Sequence, residues 1–224
     1  MPSRSLLYYI TDRTAFAPDE RTRRRRVLEK ISEAARAGVD YIQLREKDLA
    51  TRDLESLARE AASIIREKRL ATDSWPPATA LLINSRTDVA LAAEAEGVHL
   101  RSNDISPQEV RQVWQSGAGS ARQISPRVPL IAVSCHSPAE VAQAKASGAA
   151  FAVFGPVFEK ENTQPTGLNL LHEACQTNIP VLALGGITLE NAQSCLAAGA
   201  AGVAAIRLFQ ENDIAEVVQR LQDL

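Results

Sequence analysis

Cysteine is scarce in this chain, and the little there is follows no pattern. The 224 residues hold three, Cys135, Cys175 and Cys195. They lack CxxC spacing and sit in apolar stretches, which argues against a disulfide framework and fits buried thiols in a reducing cytoplasm. No apolar run approaches the roughly 18 residues needed to cross a bilayer. The first apolar stretch, in MPSRSLLYYITDR, is too short for a secretory signal. An excess of one charge is missing too: 25 Lys and Arg stand against 27 Asp and Glu, a formal net charge of −2. Nothing electrostatic therefore points to nucleic acid or an anionic membrane as partner. The single basic run, Arg21 to Arg26, is flanked by Asp19, Glu20, Glu29 and Glu33 and reads as a solvated helix face. The expectation is a soluble cytoplasmic protein.

What the chain does have is a 45% apolar content in short runs that alternate with helical patterns. The length suits one α/β barrel domain covering residues 1–224. Expected strands are Leu6 to Thr11, Asp40 to Glu46, Ala80 to Ser85, Gly97 to Leu100, Leu130 to Ser134, Phe151 to Gly155, Val181 to Leu184 and Gly202 to Ile206. Helical spacing fills the gaps, as in Arg21 to Ala37 with Val27, Ile31 and Ala34 and a closing Gly38. Ser106-Pro107 with Glu109, and Ser137-Pro138 with Glu140, read as capping boxes. The junctions AGVDYIQL, AEGVHL, SGAAFAVF and AGAAGVAAI repeat one device at the return of a helix to the sheet. Eight such units predict a closed (β/α)8 TIM barrel.

The seventh unit ends in Gly185-Gly186, followed by Thr188 as the expected helix N-cap. Two glycines at a strand's C-terminal end let backbone N–H groups approach an anion, and the loops after strands seven and eight are the usual phosphate site of this fold. Polar residues at the other strand ends should face the same mouth. After strand two, alternation sends Gln43, Arg45 and Lys47 one way. An inward Arg needs an anionic partner: a ligand phosphate or carboxylate, or a structural one in Glu46 or Asp48. Strand three offers Asn84, strand four His99, Arg101 and Asp104, and strand five Ser134 and His136. His136 is a candidate acid or base, or else a cap for the next helix; His99 reads as a satisfied core histidine and His172 as a surface one. A Cys–His metal cluster and a Ser/His/Asp triad are both missing.

Taken in order, YYITDR (8–13), YIQLREK (41–47), LLINSRTDVAL (81–91), EGVHLRSNDIS (96–106), VSCHS (133–137), FGPVF (154–158) and LALGGI (182–187) resemble the family of thiamine-phosphate synthase and the thiazole tautomerase TenI. The resemblance spans nearly the whole chain. It implies a (β/α)8 barrel that binds a phosphorylated thiazole, with the phosphate at Gly185, Gly186 and the backbone around Ile206-Arg207, and Gly155 beside the site. For the synthase branch it implies coupling to a pyrimidine diphosphate with Mg²⁺, using Gln43, Arg45, Lys47, Asn84, Ser134 and, as a metal ligand, Asp104. Three positions depart from that pattern. Ser85 replaces a second carboxylate, Arg101 replaces a glycine and stands as a substrate-binding cation that takes over part of the metal's charge on phosphate oxygens, and Thr163 falls about where a lysine belongs, with Lys160 the nearest substitute. These departures fall on diphosphate and metal handling, so the tautomerase branch is the leading expectation, with His136 moving the proton, Arg45 and Ser134 assisting, and no cofactor. The synthase and a non-catalytic phosphate-ligand binder are the alternatives. The resemblance also suggests a homodimer and leaves the 157–167 loop as a candidate lid.

Overall fold

A computed structural model describes residues 4–70, 79–117, 128–159 and 164–224. The strands are β1 (Leu6–Ile10), β2 (Tyr41–Leu44), β3 (Ala80–Asn84), β4 (Gly97–Leu100), β5 (Leu130–Cys135), β6 (Phe151–Phe154), β7 (Val181–Leu184) and β8 (Gly202–Ala205). They pair in sequence order, all parallel, and β8 closes on β1. Between them run α1 (Glu20–Ala37), α2 (Thr51–Leu70), α3 (Thr87–Ala92), α4 (Pro107–Gly117), α5 (Pro138–Ala146), α6 (Gly167–Cys175) and α7 (Ala192–Ala197). A four-residue α8 (Arg207–Gln210) and α9 (Ile214–Gln222) follow the last strand. The eight-unit barrel expected from the alternation is the fold observed.

Alternation along each strand divides the core in two. Leu7, Tyr9, Ile42, Leu44, Leu81 and Ile83 face outward under the helices, where α1 lays down Val27, Ile31 and Ala34. Burying each large aliphatic side chain contributes about 1.5–3 kcal/mol. Tyr8, Ile10, Leu82, Ala132, Phe151, Val153, Leu182 and Ala204 fill the barrel itself, so the interior is packed and only its C-terminal end is open to chemistry.

Two expectations on local structure need correction. Thr188 does not cap the seventh helix. Asn191 accepts from the Thr188 N–H at 2.9 Å and donates to the Gly186 carbonyl at 2.8 Å, and this side-chain bridge holds the loop open so that α7 starts only at Ala192. The short α8 was not anticipated. It is held by Gln210, which accepts from the Asp12 N–H and the Tyr9 hydroxyl and donates to the Asp12 carbonyl. The two expected capping boxes are present: Glu109 returns to Ser106, and Glu140 to the backbone beside Ser137.

Candidate active site

The inward-facing positions continue past the packed core as Gln43 and Arg45 above Tyr41, Asn84 above Leu82, His99 on β4 with Arg101 just beyond its end, and Ser134 and His136 above Ala132. Period-two geometry thus collects the polar residues over one opening. Gln43, 2% exposed, donates to the Asn84 carbonyl oxygen at 2.8 Å.

The carboxylates nearest Arg45 in sequence are engaged elsewhere. Arg13, 2% exposed, binds Asp48 at 2.6 Å, Glu20 at 2.9 Å and Glu46 at 3.4 Å. Burial pushes the Glu46 carboxyl up, opposed by the hydroxyl of Thr11, the Arg13 N–H and the Arg13 guanidinium. Burial would lower the Arg13 guanidinium, but Asp48 and Glu20 outweigh it and hold it charged. Arg45, half-buried, has no side-chain hydrogen bond or ion pair among the described residues. The structural ion pair considered for it is therefore made by Arg13.

His99 is 2% exposed and fully partnered, with Nδ1 at 2.8 Å from the Tyr8 hydroxyl and Nε2 at 2.7 Å from Ser134 Oγ. Burial lowers its pKa to about 3, with Arg45 adding to the effect and Asp104 opposing it. The imidazole is neutral at working pH. An unfolded chain takes up this proton below about 6.5, whereas the folded one does not until about 3. The group's contribution to stability is thus complete above pH 6.5 and lost as pH falls toward 3. Between pH 6 and 5 urea unfolding of the native chain should lose on the order of 1 kcal/mol more than that of His99→Asn; parallel profiles would contradict a buried neutral His99.

His136 is exposed. Its ring does not cap α5, where Ser137 accepts from Glu140 N. Instead Nδ1 lies 2.5 Å from the Gly155 carbonyl, and Nε2 has no partner among the described residues. Gly155 is buried, and a Cβ there would sit 2.1 Å from the Leu184 carbonyl oxygen. Its absence lets β6 and β7 close, and its carbonyl aims His136. Gly185 and Gly186 have φ of 99° and 63°, and Cβ atoms would meet Pro156 at 2.6 Å and Phe158 at 2.8 Å respectively. Among the described residues the N–H groups of Gly186 and Ile187 have no acceptor. Ile206 packs on the barrel interior, Arg207 is exposed at the start of α8, and Lys47 is exposed beyond Arg45. Lys160 and Thr163 lie outside the described residues.

Mg²⁺ is the metal the resemblance implies, and it would rest on Asp104. Both oxygens of that carboxylate are filled: Oδ1 accepts from Arg101 Nε and Nη2, and Oδ2 from the Arg101 N–H and the Ser85 hydroxyl at 2.5 Å. Burial would raise Asp104, but Arg101 and Ser85 outweigh it and hold it below the usual carboxylate range. Ser85 contributes no carboxylate, and among the described residues no three His, Cys, Asp or Glu side chains are grouped for a metal. The site as folded, without substrate phosphates to complete it, does not fit Mg²⁺, which is ordinarily held by one or two carboxylates together with those phosphates. Titrating Mg²⁺ into the free protein should give no saturable heat at micromolar to low millimolar concentration, and a Ser85→Asp/Arg101→Gly variant should gain it. Saturable binding to the native chain would show that Arg101 yields.

Residues 7–209 match the family described as thiamine monophosphate synthase. The chain belongs to that family. A putative thiamine-phosphate synthase 2 of Aquifex aeolicus is 36% identical over 209 residues, covering 92% of this chain and 97% of its own. Thiamine-phosphate synthase of Methanoculleus marisnigri is 38% identical, covering 97% and 93%. Among solved structures, thiamine phosphate pyrophosphorylase from Pyrococcus furiosus superposes with a TM-score of 0.75 at 27% identity, covering 97% of this chain and 94% of that one. A 3-hexulose-6-phosphate synthase, 18% identical with a TM-score of 0.60, shares the fold alone. The family places the chain among the enzymes of thiamine biosynthesis. No helix among the described residues is long and apolar enough to cross a membrane.

Within the thiamine monophosphate synthase family, the relatives' names favour the synthase over the tautomerase that the sequence departures put first. Two features of the site were not visible in the sequence: the Tyr8–His99–Ser134 chain and the Arg13 cluster. The only hint of the first was Tyr8 sharing period-two phase with Leu6 and Ile10.

Proposed function

We propose that this chain is a thiamine-phosphate synthase, joining a phosphorylated thiazole to a pyrimidine diphosphate. The thiazole nitrogen attacks the exocyclic carbon of the pyrimidine, the carbon–oxygen bond to the diphosphate breaks, and pyrophosphate leaves. The observation that carries the reading is Arg45: a half-buried guanidinium at the barrel mouth with no anion of its own among the described residues, because Arg13 holds Glu46 and Asp48. Charge building on a leaving diphosphate is what such a cation stabilises. Arg101 adds an Nη1 without a partner among the described residues. The free N–H groups at Gly186 and Ile187 suit the thiazole phosphate. Gln43, Asn84 and Ser134 present the polar face a pyrimidine needs, and holding both partners in line supplies much of the rate.

A specific observation favours a second reading. His136 has an open Nε2 and an Nδ1 anchored on Gly155, the arrangement of a proton-transfer group in a thiazole tautomerase. One experiment separates the two. Purified protein is given the phosphorylated thiazole and the pyrimidine diphosphate, and in parallel the non-aromatic carboxythiazole phosphate. Thiamine phosphate from the first supports the synthase. Aromatisation alone, abolished by His136→Ala, replaces it with the tautomerase. Thiazole phosphate binding without turnover of either leaves a ligand-binding paralogue.

A further inference from the structure

The polar chain crossing the barrel from β1 to β4 and β5 determines more than packing. Tyr8 is fully buried among Tyr41, His99 and Phe151, and burial raises its pKa well above the usual phenol value, so it keeps its proton. A buried hydroxyl hydrogen needs an acceptor. Among the described residues the Tyr8 oxygen touches one polar atom, His99 Nδ1 at 2.8 Å. Nδ1 must then carry the lone pair, and a neutral ring places its single proton on Nε2. Nε2 lies 2.7 Å from Ser134 Oγ, so the serine accepts there. Its own hydroxyl hydrogen has no acceptor among the described residues, and Ser134, half-buried, sits at the open end of β5.

We propose that Tyr8 and His99 are positioning residues that fix Ser134 as a hydrogen-bond donor to the bound substrate, so that the substrate atom seated there must offer a lone pair. The direction of the chain runs from phenol to imidazole to serine to ligand. A reversed chain would leave the Tyr8 hydrogen buried without a partner, which costs more than any gain at the mouth. The substrate chemistry selected at this point is a heteroaromatic ring nitrogen or an oxyanion. A group with only N–H to offer leaves the serine hydrogen unpaired. The assignment of direction belongs to the folded chain and is independent of the synthase reading; only the kinetic test below rests on it.

Long-range ¹H–¹⁵N spectra of the labelled full chain read the tautomer directly. The expected result is a His99 ring protonated at Nε2, bare at Nδ1 and unchanged between pH 7.5 and 5. In Tyr8→Phe, which removes the phenol and little else, the Nδ1-protonated form should appear. Kinetically, Tyr8→Phe should raise KM about as much as Ser134→Ala, roughly five- to tenfold for one neutral hydrogen bond. Adding Tyr8→Phe to Ser134→Ala should cost nothing further, and Tyr8→Trp should not rescue. A native spectrum with Nδ1 protonated overturns the proposal, whether or not the variants fold. So do independent, additive losses in the double variant, because they would make Tyr8 a packing residue. Absence of synthase turnover with the expected native spectrum removes the functional reading and leaves this one standing.

Discussion

Arg13→Met should lower stability by about 3 kcal/mol at pH 7, among the largest single losses available in this chain. The guanidinium binds three carboxylates while itself 2% exposed, and methionine fills the space without replacing the charge. Glu20 and Asp48, about half exposed, can turn to water. Glu46 cannot: its side chain is 1% exposed and burial already holds its pKa above the usual value. Without Arg13 that pKa rises further, so the folded variant binds a proton more tightly than the unfolded chain does. A raised carboxyl contributes stability below its unfolded pKa and loses it as pH rises through the folded one. The deficit should therefore shrink from pH 7 toward pH 5, and Glu46→Gln added to Arg13→Met should recover part of it. Urea unfolding at the two pH values checks this. A deficit under about 1 kcal/mol, or one that ignores pH, would mean the cluster behaves like a surface ion pair.

Gly186→Ala should cost about a hundredfold in kcat/KM with the barrel intact, because displacements of about an ångström at a positioning group have effects of that size. Its φ of 63° is left-handed, and the new Cβ would lie 2.8 Å from Phe158 Cβ and 3.1 Å from the Glu159 carbonyl oxygen. The loop after β6 has to move outward, and it moves away from the amides proposed to hold the phosphate. Far-ultraviolet circular dichroism should be unchanged, and titration with the phosphorylated thiazole should show the weakening. Normal affinity in the variant would remove the phosphate from this loop.

Most of the architecture was legible because it rests on local periodicity. Strands such as Phe151–Phe154 and Val181–Leu184 are short, end against a glycine, and are apolar on both faces. Alternation then sent Gln43, Arg45 and Lys47 one way, and position at the end of strand five singled out Ser134 and His136, without any knowledge of contacts. What escaped depends on side chains that meet over long separations. Tyr8 and His99 are 91 residues apart, and a tyrosine in the run LLYYI looks like core packing. Arg13 reaches Glu46 across 33 positions, so sequence left Glu46 as a partner for adjacent Arg45. Thr188 failed as a cap for the same reason on a smaller scale: the Asn191 amide competes for its backbone. Arg101 was read as bulk and charge where a glycine is expected, and only the folded loop shows its guanidinium lying on Asp104.

The Asn191 bridge has one more implication. By tying the Gly186 carbonyl to the Thr188 amide, it makes the ordering entropy of that turn fall on the folding reaction, so an arriving anion meets amides already in place. The glycine turn then behaves as a rigid anvil for the phosphate proposed to bind there.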